Sequence, residues 1–376
     1  LVANMIRAAV IVAWAAAAAA AGGGEPPTFA GPAMGTTYRV RLAADIAGLR
    51  PAAVHREVED LLARIDGAAS TWRDGSDASR FNRAAAGEWV AVADDLATIV
   101  ALARRLQGRT DGAFDVTVAP LVRVWGGGPR PVAARPAAPT AAEIEEVASR
   151  VGMHLVELRA ADGGRPAALR KSQPGVELDL SAIAPGYAVD AIGARLSALG
   201  SRNHLVELGG EVRAWGDGPD GRPWRVLLRG AEAAVPQAIE LPAGMALATA
   251  TIRPGRSPLD PRTGRPVVAA ETRSVTVRAG SCAEADALAT AAAVLGVEAA
   301  RSRGIDVVSP APSTPAVPPA ATPAAPSGPP GRASGGRRGG GWCPPAGACR
   351  WPSPRRRCSG RRSSCPSRRR CCWRCR

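Results

Sequence analysis

The sequence predicts an α+β domain from the pattern of its apolar residues, and its cysteine count and charge bound what that domain can be. Stripes of apolar residues at helical spacing alternate with short runs of period two, yet no regular strand–helix–strand repeat joins them. The body of the chain holds one cysteine, Cys282, so no disulfide framework organises it; the other seven cysteines lie beyond residue 342. Its charge is nearly balanced once the tail is set apart. The 376 residues sum to +15, but fourteen arginines fall after residue 331, and no Asp or Glu occurs from Val307 on. The high pI therefore says nothing about partners of the folded part.

Taken in order, Met5-Ile-Arg7 followed by the apolar run Ala8–Ala21 reads as an export signal over residues 1–24. An Ala-rich membrane anchor is the other reading, although the run is shorter than the roughly 20 residues a span needs. Tyr38, Val40 and Leu42 alternate as a first strand. Pro51 opens a helix whose stripe is Val54, Val58, Leu61, Leu62 and Ile65. Residues 70–82 are polar and turn-rich. Leu96, Ile99, Val100, Ala103 and Leu106 mark a second helix, and Thr140 with Glu143 forms a capping box for a third.

Glu177–Leu180 alternates like a strand and enters a small-residue turn, Ser181–Gly186. A helix follows on Val189, Ile192, Leu196 and Leu199, with Gly200 as its stop. Such a turn offers backbone N–H groups and the positive end of a helix dipole, a seat for phosphate; an ordinary connection has the same composition. Strands are expected at 204–210, 224–228 and 273–278, and a last helix at 283–295. In that helix Asp286 and Thr290 are four apart and share a face. Their carboxylate and hydroxyl oxygens suit a hard cation such as Mg²⁺, and equally suit a cap or a solvated face. His55, His154 and His204 share no motif. Asp115 and Asp179 are open between ligand contacts and turn roles.

The Pro/Ala/Ser composition from Ser309 cannot form a packed core. The Arg/Cys-rich end lacks paired C-x2-C spacing, which argues against a zinc ribbon. Residues 309–376 read as a disordered tail, with no nucleic-acid partner assigned to it.

Seven segments, in order, resemble the ApbE family of FAD:protein FMN transferases. They are 33–37 (Ala-Met-Gly-Thr-Thr), 70–82, 112–126, 178–190, 208–210, 260–264 (Asp-Pro-Arg-Thr-Gly) and 285–290. The resemblance implies one FAD-binding transferase domain over 25–308. It also implies Mg²⁺-dependent transfer of FMN from FAD to a Thr or Ser hydroxyl of a partner protein outside the cytoplasmic membrane, with release of AMP. The partner class is a membrane-associated redox protein. By position in the motifs, Met34, Trp72, Ala113, Phe114, Asp115, Ser181 and Tyr187 would bind FAD. The Ala184 carbonyl, Asp286 and Thr290 would bind Mg²⁺.

Three positions depart from the family pattern. Trp72 stands for the usual Tyr, Pro185 for the usual Lys, and Ser257 for the usual His. The segment from Ala248 also reaches Asp260 by a shorter path. No residue is therefore assigned as the base, and the alternative implied is a protein that binds or hydrolyses FAD without transferring FMN.

Overall fold

The computed structural model describes residues 27–129, 138–228, 236–253, 257–268 and 272–308. The export-signal reading of 1–24 and the tail from 309 lie outside these residues. In chain order the first elements are β1 (Thr28–Ala33), β2 (Thr36–Leu42), α1 (Pro51–Ala69), α2 (Asp77–Arg83), β3 (Val90–Ala91) and α3 (Asp94–Arg109). Then come α4 (Ala119–Val124), α5 (Ala141–Ala148), β4 (Val156–Arg159), β5 (Ala168–Lys171), α6 (Ala184–Ala198), β6 (His204–Leu208), β7 (Glu211–Trp215) and β8 (Trp224–Leu228). The last are β9 (Gln237–Leu241), β10 (Ala246–Ile252), β11 (Leu259–Asp260), β12 (Arg265–Pro266), β13 (Arg273–Ala279), α7 (Cys282–Leu295), α8 (Val297–Ser302) and β14 (Asp306–Val307).

The expected α+β class is present. An antiparallel sheet of order β1-β2-β6-β7-β10-β13-β14 separates two layers. Alternation along its strands sorts the side chains. Leu205, Val212, Ala214 and Leu247 meet Trp224, Val226, Leu228 and Leu241 of the β8–β9 hairpin. Val206, Leu208, Ala246 and Ala248 face the other way, into the main core shared with α6 and α7. A small sheet of order β3-β5-β4 packs beside α3.

Helix α1 buries Val54, Val58, Leu62 and Ile65, and Pro51 starts it where a missing N–H costs nothing. The capping box of α5 forms as expected. Helix α7 is capped by Ser281, whose hydroxyl accepts the Glu284 N–H, and stops at Gly296 with φ +85°. Its alanines are buried on all sides, as befits a helix enclosed by neighbours.

One expected strand is absent. Residues 177–180 join no sheet; Glu177 makes only an isolated bridge to Val118. Leu178 and Leu180 are both buried, so the alternation is real, but side-chain and loop backbone groups replace a ladder partner. Helix α6 also starts earlier than expected, at Ala184, placing Pro185 and Gly186 in its first turn. Within the turn-rich stretch, Ser76 caps α2 by accepting the Ser79 N–H.

His204 is fully buried and stacks on Trp215 at 4.8 Å. Its Nε2 lies 3.1 Å from the Gly193 carbonyl and must donate; Nδ1 then accepts from the Ser201 hydroxyl at 3.1 Å. Burial pushes the imidazole from 6.5 down to about 4. The unfolded chain therefore takes up a proton near pH 6.5 that the folded chain refuses until lower pH. Stability is full above pH 6.5 and falls as pH drops through this window, by about 2 kcal/mol between pH 7 and pH 5 from this group. Urea midpoints at the two pH values should show the loss, and His204→Gln should flatten it.

Candidate functional site

The site is built where the first turns of α6 and α7 meet. Gly186 sits against α7 backbone: a Cβ there would lie 2.4 Å from the Cys282 carbonyl oxygen and 2.8 Å from the Ala283 Cα. This close approach brings the Gly186 N–H to 3.3 Å from Asp286 Oδ2. One turn further along α6, the Asp190 carboxylate accepts the Cys282 and Ala283 N–H groups at 2.9 and 3.0 Å. It also accepts Arg213 Nη1 at 2.7 Å. A carboxylate at a helix N-terminus satisfies donors that have no intrahelical partner and complements the dipole. Asp190 thus docks α7 onto α6 in one register.

Hydrogen bonds tie the motif segments to one another in pairs. The Asp179 N–H donates to the Val116 carbonyl at 2.7 Å, joining 112–126 to 178–190. The Asn82 amide pairs with both groups of the Leu178 backbone, at 2.9 and 2.7 Å. The Gly209 N–H donates to the Thr37 carbonyl at 3.0 Å, tying 208–210 to 33–37. Trp125 Nε1 donates to the Gly264 carbonyl at 2.9 Å, so 260–264 rests on α4. A pocket beside the turn is lined in part by Thr71, Asn82, Ala119, Arg123, Glu177 and Asp179.

The surroundings are acidic. Burial pushes the Cys282 thiol well above its usual pKa; Asp190, Glu211 and Asp286 push the same way, opposed by Arg213. Burial also pushes Glu207 up to about 7, although its carboxylate accepts the Gly210 N–H at 3.0 Å. The Asp286 carboxylate, 5 % exposed, the Thr290 hydroxyl one turn on and the Ala184 carbonyl are all oxygens, the donor class Mg²⁺ takes. The residues present fit that ion.

The remaining sequence-predicted residues are placed as follows. Met34 and Gly35 form the two-residue β1–β2 loop with φ +48° and +74°, the left-handed pair a tight hairpin requires. Trp72 is exposed at 59 %, next to Thr71 of the pocket. Ala113 and Phe114 have buried side chains. Asp115 accepts the Thr117 N–H and hydroxyl at 2.8 and 2.5 Å and the Met153 N–H at 3.3 Å, so its carboxylate staples 115–117 to 152–153. Burial nonetheless raises its pKa.

The Ser181 N–H donates to Asp179 Oδ1 at 2.9 Å. The Tyr187 hydroxyl donates to Asp95 Oδ1 at 2.8 Å, and Asp95 pairs with Arg64. Tyr187 is thereby anchored to α3. Ser257 donates to the Arg253 carbonyl at 2.8 Å.

The first turn of α6, which begins at Ala184, lies beside Asp286 through the Gly186 N–H, whereas the sequence alone leaves the two segments apart and only the resemblance sets them on one ion. Sequence reasoning assigned no role to Asp190, Asp95, Arg64 or Arg213. Asp190 closes the motif 178–190, but its partners are 92 and 93 residues away, beyond any local signal.

Residues 34–304 match the ApbE family. The FAD:protein FMN transferase of Vibrio cholerae is 37 % identical over 283 residues, 72 % of this chain and 81 % of that protein. That of Haemophilus influenzae is 33 % identical over 288 residues, 73 % and 82 %. Among solved structures, the flavin transferase ApbE from Vibrio cholerae superposes with a TM-score of 0.67 at 35 % identity, covering 76 % of this chain and 93 % of that one. The apo flavinyl transferase ApbE of Pseudomonas stutzeri gives 0.67 at 34 %, with 76 % and 94 % covered.

Proposed function

The chain belongs to the ApbE family, and from that premise we propose that it is a Mg²⁺-dependent FAD:protein FMN transferase. It moves FMN from FAD to a Thr or Ser hydroxyl of a partner protein and releases AMP, and it works as an exported enzyme. The observation that carries this reading is the Gly186–Asp286 contact at 3.3 Å, which joins the α6 turn to the acidic face of α7.

In the reaction, the acceptor oxygen bonds to the FMN-side phosphorus, the bond from that phosphorus to the AMP oxygen breaks, and the hydroxyl proton is released to solvent. Positioning and charge neutralisation dominate such a transfer. Asp286, Thr290 and the Ala184 carbonyl would hold Mg²⁺, which when bound neutralises pyrophosphate charge. The α6 N-terminus adds its dipole to the same task. Pro185, buried in that first turn, contributes neither an N–H nor a charge. The exposed ring of Trp72 is available to stack on a planar ligand.

Ser257 offers no base: its hydroxyl is donated to a carbonyl, and an alcohol does not accept a proton near neutral pH. This favours a second reading, FAD binding or hydrolysis without transfer. The two are separated by incubating the full chain with FAD, Mg²⁺ and a Thr-containing acceptor. Covalent flavin and AMP in equal amounts mean transfer. AMP alone means hydrolysis, and retained FAD without AMP means binding only. Ser257→His should raise the transfer rate by roughly 10²-fold or more, with the KM for FAD unchanged.

A further inference from the structure

Lys171, the last residue of β5, is a buried ammonium, 2 % exposed. Its Nζ donates to two backbone carbonyls, Asn82 at 2.9 Å and Val176 at 3.0 Å, and lies 5.4 Å from the centre of the Phe81 ring. Glu177, the nearest acid in sequence, is paired with Arg123 at 2.9 Å. Its hydrogen bonds go only to neutral acceptors, which leaves a buried charge costly to keep; burial lowers the Lys171 pKa, and the more distant Glu177 and Glu88 oppose that in part. A hydrophobic residue would fill the same space more cheaply, so the carbonyls it gathers are what distinguish the lysine.

Those carbonyls begin a continuous chain of contacts. The Asn82 amide clamps the Leu178 peptide through both of its groups. The next residue, Asp179, is fixed by Val116 and in turn holds the Ser181 N–H. Two residues after Ser181 comes the N-cap of α6, whose first turn faces Asp286. Asn82, Leu178 and Asp179 also line the pocket. We propose that Lys171 and Asn82 are positioning residues for the transfer, acting as one clamp that sets the register of 176–181 and hence the place of the α6 turn relative to α7. The proposal rests on the transferase reading.

The test uses the full chain with FAD, Mg²⁺ and a Thr-containing acceptor, reading FAD affinity by flavin fluorescence, AMP release in single turnover, and melting temperature. Lys171→Met and Asn82→Ala should each slow AMP release by roughly 30- to 100-fold, because a displacement near 1 Å costs about that much. FAD affinity should change by less than about 3-fold, and the double variant should be about as slow as the slower single one, since the two residues act through one segment.

Variants that melt lower yet release AMP at the wild-type rate overturn the proposal, as does a double variant whose losses multiply. If Lys171→Met does not fold, Asn82→Ala decides alone, through the split between rate and affinity. A wild-type chain that neither binds FAD nor releases AMP overturns the transferase reading first, and the clamp with it.

Discussion

Asp286→Asn should reduce Mg²⁺-dependent AMP release by about 10³-fold while leaving the fold intact. The substitution keeps the shape of the side chain and an acceptor for the Gly186 N–H, and removes the charge that a hard cation needs. Stabilisation of developing phosphate charge by a metal is worth several kcal/mol, and each 1.36 kcal/mol is about tenfold in rate. A second readout separates lost binding from lost fold. In the metal-free protein, Asp190, Glu211 and Asp286 crowd around Cys282 with Arg213 as the opposing charge. Neutralising Asp286 should therefore leave the metal-free melting temperature unchanged or raised. Added Mg²⁺ should raise the melting temperature of the native chain by mass action and not that of the variant. Retained Mg²⁺-dependent activity in Asp286→Asn would refute the metal assignment.

Gly186→Ala should be the most damaging single-methyl change near the site. Its Cβ would stand 2.4 Å from Cys282 O and 2.7 Å from Cys282 C, backbone atoms that cannot swing aside. Relief requires α6 and α7 to separate. That separation lengthens the Gly186–Asp286 contact and loosens Asp190 from the α7 N-terminus. Overpacking of this kind costs about 1–3 kcal/mol, a fall of roughly 3–10 °C in melting temperature for a domain of this size. AMP release should drop by roughly 10²-fold or more even at temperatures where the variant is folded. Gly67→Ala is the control: Gly67 lies in α1 with nothing within 4 Å of its Cβ direction, and gains about 0.5–1 kcal/mol from helix propensity. Equal behaviour of the two variants would show that the α6–α7 contact does not matter.

The legible parts of the fold were those with strong local periodicity. The stripes of α1 and α3, the extent of α7, the strands β2, β6, β8 and β13, and the α5 capping box all appear at their expected places. Strand β10 was not legible because Ala246-Leu-Ala-Thr-Ala-Thr-Ile252 is rich in alanine, which strands disfavour. Its small residues make sense only against α7, itself alanine-rich, which packs on it. The reverse error at 177–180 has the same root. Period two reports an extended backbone with alternate burial, and says nothing about what fills its hydrogen bonds; here a side-chain amide and a loop carbonyl do.

The site was legible as two unconnected halves. Asp286 and Thr290 share a face by helix geometry alone, and the α6 turn has the composition of an anion seat. What joins them, Asp190 and the Gly186 approach, is a tertiary fact with no local spelling.

The enclosure of α7 has a further consequence, for when the molecule folds. This helix fills the centre of the helical layer, lies against β10 and β13, and is wedged against α6, yet it ends only at Leu295. A growing chain that has reached β7 owns one edge of the sheet, β1, with β2 and β6 beside it, but lacks β10, β13, the far edge β14 and helix α7. Completion of the sheet must therefore wait for the last quarter of the folded part, and its closing contacts span long loops, which slows assembly relative to a fold built of local contacts. The face of α7 proposed to hold the metal is completed in the same late step, so the proposed chemistry would arise only when the core does.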